Sequence, residues 1–555
     1  MPDSTIHALA DELVAVQFDH DPLEATLYGD RARDHQLPES STAADDEFLR
    51  RCWDIAARAE AVDPSTVDET DRVTRSVILD WVRNVTGYVQ ARTAEYTVTD
   101  LFNAPAAGLL MGLSMISLPE PQHPAAYLER LGQVPRYLEQ ALQRHRDGIT
   151  EGLAPVGYLV QNAIDALDRY LDNPDRDPLL RPAPVTPDDD FEQRRAEVLE
   201  TVVRPAFAAY RDGLREHVLP FGRTEDAPGL THLPGGRQLY IGLARFFTTT
   251  ERTPEELHQT GLDIVAELAK EYSELGQRIF GVSEVPEIFQ RLRTDPELRF
   301  SSAEEILDKA KAAMERAVAA APQFFGRLPQ APCAIEEVPA DSAPGSPLAY
   351  YLPPAADGSR PGTYFQNTHN ATGRDRFSLE AVAFHEAIPG HHFQISVAQE
   401  LTELPLLRRK PEFTAYIEGW GLYTERLADE MGLYTSDLDR FGILTYDSLR
   451  ACRLVVDTGV HALGWTRQQA IDFMLANVPA NEGEMITEVD RYIAMPGQAL
   501  SYMVGRLEIL RLRAKAKELL GESFSLSAFH DVVLGGGPLP LGVLDEVVTA
   551  WASRG

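Results

Sequence analysis

A chain of 555 residues exceeds what one hydrophobic core serves, which predicts two helical lobes, 1–225 and 226–555, or one continuous fold of that size. Its 85 acidic against 52 basic residues give a formal charge of −33, which argues against nucleic acid and anionic membrane as partners. Three widely separated cysteines, Cys52, Cys333 and Cys452, argue against a disulfide framework or a thiolate metal site.

Taken in order, the chain begins Met1-Pro2-Asp3-Ser4-Thr5, with no basic region leading into an apolar one. No later segment reaches about 18 uninterrupted apolar residues, so a soluble, cytoplasmic protein is expected. The sequons at Asn84-Val85-Thr86 and Asn370-Ala371-Thr372 then carry little meaning. Up to about Asp172 the pattern is helical. Between Tyr127 and Ile149, Leu128, Leu131, Val134, Tyr137, Leu138 and Leu142 recur at spacings of three and four, and Pro135 is placed to kink or split that helix. The apolar stretch from Leu101 to Gly112 is too short for a membrane span and reads as a buried turn and helix. A Pro- and Asp-rich break from Asn173 to Asp190 is a linker candidate, and helical pattern resumes from Phe191 to Val218. Thr253-Pro254-Glu255-Glu256 has the residues of a helix start, and that helix should run toward Phe280. Leu348–Leu352 and Thr363–Asn367 read as short strands of a small sheet whose edge suits pairing with an extended peptide.

The most informative stretch follows: Phe384-His385-Glu386-Ala387-Ile388-Pro389-Gly390-His391-His392-Phe393-Gln394. Zinc hydrolases need imidazole ligands and a carboxylate placed to take a proton from water, and both residue types are here. The spacing is not that of the ordinary zinc helix, in which two histidines four residues apart differ by about 40° and about 6 Å of rise. On a straight helix His391 is turned away from His385, and His392 lies about 10 Å farther along. Pro389 lacks an N–H and clashes with the carbonyl of His385, while Gly390 admits unusual backbone angles. A two-residue bulge here would make His385 and His391 ligands and Glu386 the general base, with His392 a supporting group or alternative ligand.

Downstream, Phe413, Tyr416, Ile417, Trp420, Leu427 and Met431 form an apolar helical stripe ending near Gly432. Glu418 adjoins it, and Gly419 and Gly421 flank Trp420. Glycine in a helix costs on the order of 1 kcal/mol, so two together signal a close neighbour. A carboxylate there needs a partner, and a metal ion would be one. Glu425, two turns on, is a candidate to orient a ligand imidazole, or else pairs with Arg426 or Arg453.

These motifs, with Pro496-Gly497-Gln498-Ala499-Leu500-Ser501-Tyr502, Asp457 to His461, Phe529-His530-Asp531, Phe247 to Thr250 and Thr253 to Glu256, resemble the bacterial domain of unknown function 885 family, within the zincin metallopeptidase group. The resemblance spans nearly the whole chain. It implies a mainly α-helical, zincin-like metallohydrolase with a small β-sheet next to the metal-site helix and a deep cleft. It implies further that one zinc ion is held by His385, His391 and Glu418, with Glu386 as base. Phe393 departs from the family, which often has leucine there.

Attack on an amide carbonyl builds an oxyanion that needs a donor. Tyr502 is the first candidate, because Pro496-Gly497 suggests a turn before its helix; His530 is the second, and His461, Arg491 and Tyr492 are further ones. Gly535-Gly536-Gly537 lacks the Lys-Ser/Thr of a phosphate loop, and His369 reads as a substrate-side or surface residue. The expected function is hydrolysis of peptide or related amide bonds in small substrates, the alternatives being a metal-dependent amidase of a small metabolite or a non-catalytic protein retaining the fold.

Overall fold

The computed structural model describes residues 5–340, 343, 347–354 and 360–554. Helix accounts for 69% of the structure, and among the described residues the only sheet has three strands. Met1–Ser4 and residues 355–359 of the loop between the two expected strands lie outside the described residues.

Local chemistry accounts for many of the helix boundaries. The Thr253 hydroxyl accepts from Glu256 N while the Glu256 carboxylate accepts from Thr253 N at 2.8 Å, and Pro254 occupies the first turn. The resulting helix Pro254–Phe280 stops at Gly281, whose φ of +71° suits a residue without a Cβ. Pro135 splits the expected helix, leaving His123–Leu131 and Val134–Thr150. Phe191–Val218 is two helices, Asp189–Val198 and Arg204–His217, joined by a π-turn. The apolar segment after Leu101 is less buried than expected: in the helix Pro105–Ser114 only Ala106, Leu109, Gly112 and Leu113 face inward, while Met111 is 46% exposed.

Among the described residues three hydrophobic cores result, the smallest gathering Val156 and Leu159 with residues from Leu449 to Ala499. Residues from Val98 to Val218, with Leu37, close one of them. The helices Thr5–His20, Thr42–Glu60 and Glu69–Gln90 instead share the main core with residues from Leu230 to Ala552. The sheet has the order β1 (Cys333–Glu337), β3 (Gly362–Gln366), β2 (Ala349–Leu352), with β1 parallel and β2 antiparallel to the central strand. Ile335 and Tyr351 both stand opposite Tyr364. Strand β1 lies ahead of the two strands read from sequence; it is short and ends in two glutamates, so its strand signal is weak.

Two helix crossings position the functional site. Thr414–Glu430 packs on Ser501–Leu520 through Gly419 and Gly505: a Cβ on Gly505 would lie 1.8 Å from the Ala415 carbonyl oxygen. Pro254–Phe280 packs on Arg440–His461 through Gly261, where an added Cβ would meet Val455 at 2.7 Å. An ionic clamp ties the four helices together. Arg426 Nε donates to Asp447 at 2.7 Å, its two terminal nitrogens donate to Glu271 at 2.8 and 3.1 Å, and Arg506 also donates to Asp447. The Asp447 side chain is buried, so loss of either arginine would leave its charge poorly compensated.

Gly505→Ala should therefore lower stability by about 1–3 kcal/mol or more, since the obstacle is rigid backbone. Gly542→Ala, with nothing within 4 Å of the added methyl, should be neutral or slightly stabilising. Thermal denaturation of the two variants checks this; equal melting temperatures would contradict the packing account.

Candidate metal centre

The helix Leu379–Glu386 ends directly after the His385-Glu386 pair, and a new helix, His391–Gln399, begins five residues later. Between them the Ile388–Pro389 peptide is cis. Phe393 N donates to Ala387 O at 3.4 Å, reaching back six residues instead of four, so the turn takes in two additional residues. Gly390 is needed for a reason beyond its backbone angles. Its φ is an ordinary −80° with a ψ of −128°, and a Cβ there would stand 1.8 Å from the His385 carbonyl oxygen. The Trp420 indole N–H donates to Pro389 O at 2.9 Å and holds the turn against the next helix.

This turn sets the His385 and His391 rings 4.6 Å apart, nearly perpendicular. Glu418 Oε2 lies 3.6 Å from His385 Nε2 and 3.4 Å from His391 Nε2. The glycines flanking Trp420 have separate duties: Gly419 admits the Ser501–Leu520 helix, and Gly421 admits the His385 imidazole, whose Cε1 would be 2.7 Å from an added Cβ. His385 Nδ1–H donates to Glu425 Oε1 at 2.8 Å, which leaves Nε2 facing Glu418. Glu425 thus pairs with His385, not with Arg426 or Arg453. Arg450 Nη2 stands 3.7 Å from the same oxygen, and the Tyr434 hydroxyl donates to the Glu425 backbone carbonyl at 3.0 Å.

Burial opposes charge on His385, yet Glu418 and Glu425 hold it up at about 9. Burial likewise works to raise Glu418, but the two imidazoles hold its carboxyl well below the usual carboxylate range. Such mutual stabilisation in a buried place is what a cation also provides. One ligand atom from each of His385, His391 and Glu418 lies within 4.8 Å of the others, and among the described residues no further His, Cys, Asp or Glu group converges this way. Tetrahedral ligands about 2.1 Å from an ion stand about 3.4 Å apart. The two imidazole-to-carboxylate spacings fit that requirement, so the donor set suits one zinc ion.

The remaining candidates separate into two groups. Glu386 is half-buried beside the cluster, close enough to Tyr364 that burial and its charge together push that phenol well above its ordinary range. Tyr502, also half-buried, borders Glu418, whose charge adds to burial in raising its hydroxyl; the Arg453 guanidinium carbon lies 4.5 Å over its ring. The others point elsewhere. His392 is not an alternative ligand: its Nδ1 accepts from the Tyr351 hydroxyl and its Nε2 donates to Ala331 O, both at 3.0 Å, fastening the sheet to the site. His530 is a core residue, not an oxyanion donor, with Nδ1–H on Phe324 O at 2.9 Å and Nε2 accepting from Tyr423 at 2.8 Å; burial pushes it down to about 4. His461 donates to Tyr492 O at 3.0 Å and accepts from Leu230 N at 3.2 Å, so it too is fully engaged. The Tyr492 hydroxyl is occupied by Arg453 and Glu488, and Arg491 donates to Gln498 at 2.8 Å and Glu488 at 3.1 Å. His369 is exposed. Sequence reading passed over Arg450 and Tyr364; the signal for Arg450 was a charge in a helix that is buried from Asp447 to His461. A separate cavity of about 390 Å³, lined by Tyr88, Arg92, Tyr137, Arg144 and others, contains none of these residues.

A family model described as bacterial protein of unknown function (DUF885) matches residues 22–548. No curated protein matches the chain. A crystal structure described as the putative lipoprotein from Colwellia psychrerythraea is similar, at 27% identity over 99% of both chains with a TM-score of 0.92. A structure of a putative lipoprotein of unknown function from Shewanella oneidensis, at 17% identity over 99% of this chain and 100% of that one, has a TM-score of 0.76 and speaks for the fold alone. The description of the similar Colwellia psychrerythraea protein as a putative lipoprotein overturns the expected cytoplasmic location. Among the described residues no helix is long and apolar enough to cross a membrane.

Glu425→Gln should keep the fold but weaken zinc binding about 10–100-fold, because it removes the charge that orients His385. Competition with a chromophoric chelator measures this; unchanged affinity would contradict the role given to Glu425.

Proposed function

Since the chain belongs to the DUF885 family of bacterial proteins of unknown function, a name that assigns no reaction, we propose from the site itself that it is a zinc-dependent hydrolase of the zincin type, cleaving peptide or related amide bonds of small substrates. The observation that carries this reading is the convergence of His385, His391 and Glu418, with Glu386 directly following the first ligand. A deep cleft admitting short substrates belongs to the same proposal.

His385, His391 and Glu418 would hold a zinc ion, which when bound would supply a Lewis acid able to activate water near neutral pH and to polarise a carbonyl. Glu386 cannot join the ligands, because the residue after His385 on a helix points about 100° away. Its half-exposed carboxylate takes a proton from the attacking water as the new C–O bond forms. It then returns that proton to the amide nitrogen as the C–N bond breaks, so carboxylic acid and amine leave with one water consumed. Tyr502, kept protonated by burial and by Glu418, donates its hydroxyl to the oxyanion that develops on the carbonyl. Glu425 fixes the His385 ring throughout, and Trp420 fixes the turn that carries His391.

Glu386→Gln should retain stoichiometric zinc and lose peptide hydrolysis by about 10²–10⁴-fold. A mass-spectrometric screen of a peptide library, paired with metal analysis, tests this. A zinc-free wild-type protein, or a variant as active as wild type, would sink the reading.

A further inference from the structure

Tyr502 lies at one end of a group of arginines that the hydrolytic step does not use. Arg453 and Arg450 place their guanidinium carbons 4.5 and 5.6 Å from its ring centroid. Arg491 reaches it through Gln498, which accepts from Arg491 Nη1 at 2.8 Å and sets its own amide beside the Tyr502 hydroxyl. Among the described residues two carboxylates pair directly with these three cations, while Asp457, held by the Tyr240 hydroxyl and the Gly497 N–H, also feels Arg491. Arg453 and Arg491 share Glu488 Oε2, at 2.8 and 3.1 Å, and the nearest carboxylate to Arg450 is Glu425 at 3.7 Å, already engaged by His385. Arg453 Nη1 and Arg450 Nη1 are buried with no hydrogen-bond partner. Glu484, one turn before Glu488, is exposed, so water screens its charge from the buried guanidinium groups, and the cation it feels is Arg374.

Exposure singles out one member. The Arg450 and Arg453 side chains are less than one-tenth exposed, whereas Arg491 is 21% exposed, much as Glu418 is at 20%. Tyr502 is also half-buried and feels both the Glu418 carboxylate and the Arg491 guanidinium. A solvent-reaching wall therefore runs from the metal ligand through Tyr502 and Gln498 to a guanidinium backed by a buried second cation.

We propose that Arg491, supported by Arg453 and Gln498, binds the free C-terminal carboxylate of a short peptide substrate. This rests on the hydrolase reading above and adds the end from which the substrate is held. The guanidinium fork matches a carboxylate in shape and charge, and Glu488, which Arg453 and Arg491 share, offsets only one of their two positive charges. The opposite end of the substrate is then left to other contacts, and a peptide blocked as an amide lacks the group that Arg491 reads.

The test uses the zinc-loaded enzyme with tetra-alanine, its C-terminal amide, and the amide of Ala-Glu-Ala-Ala, each followed by calorimetric binding and by hydrolysis. The free acid should bind and be cleaved about 10–100-fold better than tetra-alanine amide, the difference lying mainly in KM. Arg491→Gln should erase that preference by weakening the acid alone, Arg491→Lys should restore part of it, and zinc content should stay constant. Equal binding of acid and amide to wild type, no binding of the acid, or an equal loss for both in Arg491→Gln would overturn the proposal. So would recovery of full affinity by the glutamate-containing amide, which would assign the site to an acidic side chain. Preferential binding of the acid without any cleavage would uphold the carboxylate site and count against hydrolysis alone.

Discussion

Two histidines six residues apart can share one ion only if the backbone between them folds back on itself, and here that depends on a single atom that is missing. The Gly390 Cα sits so close to the His385 carbonyl that any side chain would collide with the oxygen at 1.8 Å. The helix stops at Glu386, the chain passes through Pro389, and a second helix starts with His391 facing the first. Two residues are absorbed without displacing the helices on either side, as the hydrogen bond from Phe393 to Ala387 records.

The rest of the molecule serves to bring a carboxylate to that turn. Gly419 and Gly505 let the Thr414–Glu430 and Ser501–Leu520 helices touch backbone to backbone, which sets the height of Glu418; Gly421 opens the space for the His385 ring. The clamp of Glu271, Arg426, Asp447 and Arg506 fixes those helices to two more. Each polar group near the centre is then oriented by one farther out: Glu425 orients His385, Tyr434 holds the Glu425 backbone, and Trp420 holds Pro389. This layered positioning is what keeps imidazoles and carboxylates in a buried site from relaxing into ordinary ion pairs.

The parts of this arrangement legible in sequence are those written in local spacing. The Pro389-Gly390 interruption, the glycines around Trp420 and the helix start at Thr253 each have a reason within a few residues of themselves. Strand β1 did not, because its parallel partner β3 begins 29 positions later, at Gly362 against Cys333. The histidines show the same limit. His530 and His461 look no different in sequence from a catalytic histidine; their partners Phe324 and Leu230 lie more than 200 residues away and alone reveal them as core residues. Tyr502 was separable from Tyr492 only by exposure, and the contact that demands Gly390, the His385 carbonyl, shows only in the folded turn. The location could not be read from the residues and was corrected by the description of one similar protein.

The charge pattern joins these threads. A protein with a formal charge of −33 nonetheless gathers Arg450, Arg453 and Arg491 around one tyrosine beside the histidine-glutamate cluster, an investment that bulk solubility does not require. The most direct test of the account is a crystal of the zinc-loaded protein measured across the zinc absorption edge. One anomalous peak about 2.0–2.2 Å from His385 Nε2, His391 Nε2 and a Glu418 oxygen is the predicted result. A peak bonded to His392, or none at this cluster, would contradict it.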